Sequence, residues 1–354
     1  MTTVIKKKVL MIGPARSVKG GVSAVVNDYY RAGLDKQIEL AYIGTMEDGS
    51  KWHKLLVAVK ALLTFLVSVN KFDIVHIHMA SDSSIYRKMP FIWIACWKHK
   101  KIIIHQHGGN FREFYFEHCG SFRQKLIRKT LNRGDKLLVI APYLREIFAQ
   151  LVEESKLVFF PNAIPVPSGI EKSYDGQDIL FLGRMCKEKG IEELLDACRV
   201  LQKEFPKLQL YLGGIWEDEG LKKKADALGS RVHQLGWINT EEKEQYLRTC
   251  NIFVLPSYFE GHPMSLLEGM AFQCACVGTD IGGISQMITD EENGLLIPVK
   301  DEKALEEALR RLLSDRSLQE KLGRAAGRKI EQEYNLEKNL LKLLEVYRFG
   351  DEDA

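Results

Sequence analysis

Arg184 and Lys189 stand five positions apart in Gly183-Arg184-Met185-Cys186-Lys187-Glu188-Lys189-Gly190, just beyond the apolar run 179–182. A guanidinium and an ammonium past the carboxyl end of a strand can clamp a diphosphate. They also neutralise the charge it gains as a leaving group. Farther on, Glu260 and Glu268 lie eight positions apart in Phe259-Glu260-Gly261-His262-Pro263-Met264-Ser265-Leu266-Leu267-Glu268. Pro263 suits the first turn of a helix, which leaves Glu260 in the preceding loop and puts Glu268 on the second turn. The backbone N–H groups of Met264 and Ser265 then fall at a helix N-terminus, where an anion or a sugar oxygen is favoured. Carboxylates accept hydrogen bonds from hydroxyls without needing a metal. A nucleotide-sugar offers a diphosphate to the cations and hydroxyls to the acids, so the four residues together point to transfer of a sugar from a nucleotide carrier. Taken singly, each has a plainer reading: Arg184 and Lys189 as cations of a polar turn, Glu260 as an acid favoured by a helix dipole.

Other candidates are weaker alone. Gly20-Gly21 falls between the first strand and the first helix; without a G-x-G-x-x-G pattern it disfavours a dinucleotide site but permits close backbone approach to a phosphate. His105 and His107 close the run 102–104, with glycines behind His107. His107 is thus a candidate to contact the donor sugar, or else a hydrogen-bonded structural histidine. His76 and His78 close the run 74–77 and are assigned no role. Asp351-Glu352-Asp353 is the one DxD and lies far from any strand end, so no metal site is expected there.

Positioning these groups requires a particular scaffold. Short β-branched or aliphatic runs at 9–12, 74–78, 102–105 and 137–140 alternate with helical patterns at 22–32, 52–69, 84–98, 121–132 and 142–153. Three prolines, Pro161, Pro165 and Pro167, interrupt the rhythm and mark a boundary near residue 167. Alternation resumes with strands at 179–182, 209–213, 232–235, 252–255, 275–278 and 294–297. Strands alternating with helices build parallel βαβ units, so the 354 residues read as two consecutive Rossmann-like α/β domains.

The net charge of +3 conceals an asymmetry. Residues 1–170 carry 25 Lys+Arg against 13 Asp+Glu, whereas residues 171–354 carry 25 against 34. A basic half meets anionic material or is simply well solvated. Within 98–136, ten cations are interleaved with Phe111, Phe114, Tyr115, Phe116 and Phe122. That mixture suits peripheral docking on anionic headgroups, unless the aromatics belong to the core. The apolar run 55–69 spans about fifteen residues and includes Lys60, too short to cross a bilayer. Seven cysteines without a CxxC pair read as buried thiols of a reducing compartment, and the polar start lacks a secretory signal, so the cytoplasm is expected.

With Gly20-Gly21, His107-Gly108, Gly183-Arg184 through Lys189-Gly190 and Glu260 through Glu268 in order, the chain resembles the family 4 (group 1) retaining glycosyltransferases. The likeness is strongest over 179–300, including Leu235-Gly236-Trp237 and Cys250-Asn251-Ile252-Phe253-Val254-Leu255-Pro256-Ser257. The segment Asp73-Ile74-Val75-His76-Ile77-His78 also resembles the family's second-strand signature. The resemblance implies the GT-B fold, two Rossmann-like domains facing across a cleft. It implies domains at 1–167 (acceptor side) and 168–335 (nucleotide-sugar side), with 336–354 returning to the first.

It further implies that Arg184 and Lys189 hold the donor diphosphate and that the Gly20-Gly21 loop closes on it. Glu260 and His107 would meet the donor sugar and Glu268 the ribose, with Gly236, Trp237 and Ile238 beside the base. His262, Met264 and Ser265 would complete donor binding. No metal or other cofactor is expected. The partners implied are a UDP- or GDP-sugar and a glycan or polyprenyl-diphosphate-linked acceptor of surface polysaccharide assembly; nucleic acid is not expected. One departure is plain: Pro161-Asn162-Ala163-Ile164-Pro165 replaces the family's Pro-Asn-Gly-Val-Asp, implying a stiffer connector and removing that aspartate's role. Two other readings compete, a GT-B nucleotide-sugar epimerase, which needs no acceptor surface, and a basic nucleic-acid-binding protein on a degenerate enzyme fold.

Overall fold

A computed structural model describes residues 7–108 and 110–349; the acidic tail considered above lies outside them. The chain divides into two compact units. One holds the residues up to Pro165 and those from Leu336 on, and the other spans Val166–Asn335.

The first unit is built on strands β1 (Lys8–Gly13), β2 (Glu39–Gly44), β3 (Ile74–Met79), β4 (Lys101–Gln106), β5 (Lys136–Val139) and β6 (Leu157–Phe159). They form one parallel sheet in the order β2-β1-β3-β4-β5-β6. Its crossovers are α1 (Gly21–Arg31), α2 (Leu34–Gln37), α3 (Lys51–Ser68), α4 (Ser83–Trp97), α5 (Phe111–Phe116), α6 (Ser121–Leu131) and α7 (Pro142–Ala149). All six residues of β3 are buried, as expected of a central strand covered on both faces.

β2 and β6 escape the sequence pattern because they are the sheet's edges. Each has one neighbour, and most of β2 is only half-buried, so neither needs a continuous apolar run.

Two expectations for this unit need correction. Phe111, Phe114 and Tyr115 are core residues of α5, whereas Phe116 and Phe122 are exposed, so only two of the five aromatics in the basic segment 98–136 are open to a surface. The apolar run near 55–69 belongs to a longer helix. Ser50 caps α3 by accepting from the His53 N–H, and a 3-10 turn prolongs it to Lys71. Lys51–Lys71 is 21 residues long with mean hydropathy 1.6, enough to cross a membrane by length and composition. α3 nonetheless serves as the β2-to-β3 crossover, with Ala61 and Phe65 buried in the core.

The second unit repeats the plan with β7 (Asp178–Leu182), β8 (Gln209–Gly213), β9 (Val232–Gly236), β10 (Ile252–Leu255), β11 (Ala275–Thr279) and β12 (Leu295–Ile297). The order is β12-β11-β10-β7-β8-β9, again parallel throughout. Its helices are α8 (Ile191–Glu204), α9 (Glu219–Asp226), α10 (Thr240–Thr249), α11 (Met264–Ala271), α12 (Ile284–Met287), α13 (Glu302–Ser314) and α14 (Arg316–Glu333). Side chains fix several starts. Asp218, Asp301 and Asp315 cap α9, α13 and α14, and Asn239 with Glu242 forms a capping box on α10.

The last helix, α15 (Leu336–Arg348), rejoins the first unit. The Leu336 N–H donates to the Ile164 carbonyl at 3.0 Å and the Asn339 amide to the Pro161 carbonyl at 3.0 Å. All seven cysteines are free, six of them buried.

Candidate active site

Arg184, Lys189, Glu260 and Glu268 all belong to the second unit, and the local chain explains how three of them are placed. Beyond β7 and β8 the two strands stay in register. Met185 N–H donates to Ile215 O at 2.8 Å and Glu217 N–H to Met185 O at 3.1 Å. Gly214 makes this possible: its φ is +148°, and a Cβ there would sit 1.7 Å from the Gly183 oxygen. The pairing brings Arg184 beside Glu217, and its Nη1 reaches both carboxylate oxygens at 3.2 and 3.1 Å. Arg184 is 62% exposed, so this pair is wet and weakly held.

Lys189 ends a 3-10 turn, Lys187–Lys189, that closes on Gly190 at φ +69°. A Cβ at Gly190 would lie 2.1 Å from the Pro256 oxygen, so only glycine lets this turn press against the segment after β10. The Tyr258 N–H donates to the Glu188 carbonyl at 2.8 Å and locks the two segments together. Lys189 Nζ consequently meets Glu260 Oε1 at 2.5 Å, and Ser257 Oγ donates to the same oxygen at 2.8 Å. The lysine and glutamate side chains are 19% and 12% exposed, a mostly desolvated ion pair.

Glu268 lies on the second turn of α11, whose N-cap is Pro263 with no capping side chain. Lys243 of α10 donates to its Oε1. Ser265 is half-buried and Met264 buried. The His262 side chain is turned into the core, its ring 5.1 Å from that of Tyr334, and burial depresses its pKa to about 3. Any donor contact at His262 would therefore come from its main chain.

Gly236 has φ +65° and accepts from the Gly214 N–H at 2.7 Å; the neighbouring Trp237 is exposed and Ile238 half-buried. In the first unit, Gly20 is the N-cap of α1, and the positions a Cβ would take at Gly20 and Gly21 open onto free space. Glu217, Ser257 and Lys243 went unforeseen. Glu217 and Lys243 pair across elements 33 and 25 residues distant, and Ser257 pairs within its own loop, three residues from Glu260. Ser257 ends the segment Cys250-Asn251-Ile252-Phe253-Val254-Leu255-Pro256-Ser257, whereas Glu217 and Lys243 resemble ordinary surface charges in sequence.

His107 does not stand alone at its strand end. β3 and β4 pair His78 with His105, so His76, His78, His105 and His107 share one sheet face. His107 Nε2 and His78 Nδ1 are 3.0 Å apart, one donating to the other, and the His107 ring packs 4.0 Å from that of His105. His76 Nδ1 bonds the hydroxyl of Tyr347 on α15 at 2.7 Å. Among the described residues, His76 Nε2, His78 Nε2 and both nitrogens of His105 are buried without a hydrogen-bond partner. Burial therefore drives these imidazoles neutral: His76 and His107 fall to about 3, His78 and His105 well below their usual value. His76, His78 and His105 bring ligand atoms within 4.8 Å of one another. His76 stacks on both others, however, with interplanar angles of 22° and 16°. A metal must lie in the plane of every imidazole that binds it, and stacked rings do not converge on one point.

Two parallel six-stranded α/β units, with the last helix of the chain belonging to the first, are the GT-B architecture. HepE from Anabaena, solved with UDP and glucose, superposes with a TM-score of 0.77 at 14% identity, over 97% of this chain and 100% of HepE. Residues 168–329 match the family described as glycosyl transferases group 1. The chain is similar to the phosphatidyl-myo-inositol mannosyltransferase of Mycobacterium leprae, 30% identical over 174 residues, 49% of this chain and 46% of the relative. It is also similar to the amylovoran biosynthesis glycosyltransferase AmsK of Erwinia amylovora, 31% identical over 166 residues, 44% of this chain and 41% of that one. The matched segment thus spans about half the length of these curated relatives.

Proposed function

We propose that the protein is a metal-independent glycosyltransferase moving a sugar from a UDP- or GDP-sugar to a lipid-linked glycan acceptor with retention of configuration, in surface polysaccharide assembly. The observation that carries this reading is the Lys189–Glu260 pair. A cation bonded to a carboxylate at 2.5 Å suits the one place in a nucleotide-sugar where phosphate and sugar hydroxyls adjoin, the anomeric junction. Lys189 takes the phosphate oxygen there and Glu260 a sugar hydroxyl. Arg184, released from its exposed pair with Glu217, supplies the second cation. Glu268, bonded to Lys243, accepts from the ribose, and the uncapped start of α11 offers backbone N–H groups.

In the reaction, the bond between the anomeric carbon and the β-phosphate oxygen breaks as an acceptor hydroxyl oxygen bonds to that carbon on the same face. The acceptor proton passes to the departing diphosphate, whose growing charge Lys189 and Arg184 stabilise. His107 is neutral and bonded to both His78 and Asn162, so any contact with a donor sugar would replace one of these bonds. HepE was solved with UDP, which makes UDP the first base to test. The phosphatidyl-inositol mannosyltransferase supports a lipid-borne acceptor and AmsK supports polysaccharide assembly.

A thermal-shift titration with UDP, GDP and ADP is the direct test. One uridine or guanosine diphosphate should raise Tm in a saturable way, by RT ln(1 + [L]/Kd) in free energy. Indifference to all three would overturn the donor reading. Product analysis by NMR then reads the anomeric configuration. Glu268→Gln should weaken UDP-sugar binding roughly tenfold while changing kcat far less, because a charge-assisted bond to ribose acts equally in ground and transition states. An unchanged donor Kd would remove the ribose role.

A further inference from the structure

α3 is apolar on two opposite sides. Ala61 and Phe65 face the core of the first unit, while Trp52, Leu55, Leu56, Val59, Leu63 and Val67 are exposed. At 100° per residue these six fall within an arc of about 120°, one continuous stripe along the helix. Trp52 and Val67, at its two ends, are 77% and 76% exposed. A stripe of that length and uniformity is unlike the scattered apolar residues of an ordinary surface.

Its surroundings define what covers it. Lys51, Lys54, Lys60 and Lys71 punctuate the segment, and no Asp or Glu occurs between residues 51 and 71. α3 packs on α4 and α4 on α6, so the three helices form one layer. Together they hold nine Lys and Arg, of which Lys88 alone is buried, and no carboxylate. The same layer exposes Trp97, with Lys98 Nζ 4.9 Å from its ring centroid, and Phe122 beside Arg123. A second copy of this chain seated on the stripe would bring two such cationic layers together. An anionic bilayer meets both features at once, taking the apolar stripe into its acyl boundary and the lysines among its phosphates.

We propose that α3 is the membrane-docking element of this protein, lying in the plane of an anionic lipid surface with the Trp52–Val67 stripe inserted. The inference deepens the lipid-linked acceptor reading and rests on it for its purpose, although its physical grounds are separate.

The test is flotation of the intact protein with vesicles of equal parts phosphatidylglycerol and phosphatidylcholine, against phosphatidylcholine alone. Wild type should float with the anionic vesicles at low salt and less at high salt. Leu56→Gln/Val59→Gln/Leu63→Gln should lower the bound fraction roughly tenfold or more. Lys54→Glu/Lys60→Glu should lose anionic vesicles selectively. All these sites are exposed, so Tm and the UDP-induced Tm shift should match wild type and report an intact fold. Failure of wild type to float, or unchanged flotation of the triple variant, overturns the proposal. So does a wild-type dimer that the triple variant converts to monomer without vesicle binding. If flotation behaves as expected and no nucleotide shifts Tm, the docking helix stands and the sugar-transfer reading falls.

Discussion

Lys189→Ala lowers kcat by roughly a hundredfold or more with saturating donor and acceptor, the scale expected when one charge-stabilising donor is removed from a transition state. The reasoning starts from placement. Gly190 presses the Lys189 turn onto Pro256, so the ammonium is held by backbone packing and not by a long flexible stem alone. A group fixed in this way needs no reorganisation as charge develops on the departing diphosphate.

As cations of a polar turn, Arg184 and Lys189 would both be dispensable for stability. The structure separates the two. Arg184 is exposed, and Arg184→Ala should cost well under 1 kcal/mol of stability. Lys189 and Glu260 are largely buried, so Lys189→Ala strands a carboxylate whose remaining partner is Ser257, and stability should fall by about 1–3 kcal/mol. Lys189→Ala/Glu260→Gln removes that stranded charge and should recover much of the lost Tm without recovering kcat. Turnover of Lys189→Ala within a few-fold of wild type would eliminate the cation from the mechanism.

Much of this arrangement is visible in the residues, and what is hidden has consistent causes. The central strands β7, β10 and β11 are legible as apolar runs that need no polar alternation, whereas the edge strand β9, Val232–Gly236, is legible only from its place in the strand–helix rhythm. The edges β2 and β6 are half-exposed and lack that signal. Candidate site residues are legible where glycines and prolines mark strand ends. Their counter-ions are not, because Glu217 and Lys243 become partners only when β8 and α10 are set beside β7 and α11. The aromatics of 111–116 stood open between core and surface, although spacing decides the matter for three of them. Phe111, Phe114 and Tyr115 follow i, i+3, i+4, which is the spacing of a buried helix face.

The histidines, which invited either a catalytic or no role, carry the second large effect. Lowering the pH from 7.5 to 5 should destabilise the first unit by roughly 6 kcal/mol, a large share of a typical domain's stability. His76, His78 and His105 are fully buried on the β3–β4 face and held neutral, His76 down to about 3. Their unfolded counterparts titrate near 6.5. Between those values the unfolded chain binds more protons than the folded one, so stability falls as pH falls, by about 1 kcal/mol per unit per histidine.

The groups facing the cluster cannot rescue it. Tyr29 and Tyr347 stay un-ionised, while His107, lowered to about 3, and Lys88, lowered to about 7 by burial, both bind fewer protons folded than unfolded and so add to the loss. Ordinary carboxylates remain ionised at pH 5, so the loss should be imidazole-driven. Because His262 in the second unit shares the same sign, the readout must be local. Hydrogen exchange in β3 and β4 peptides should accelerate steeply from pH 6.5 to 5 after correction for the intrinsic rate. In parallel, the ring resonances of His76, His78 and His105 should show no titration above pH 5 in the folded protein. Protection of β3 and β4 that is level across this window would mean that these imidazoles are solvated or paired, and the neutral stack would have to be abandoned.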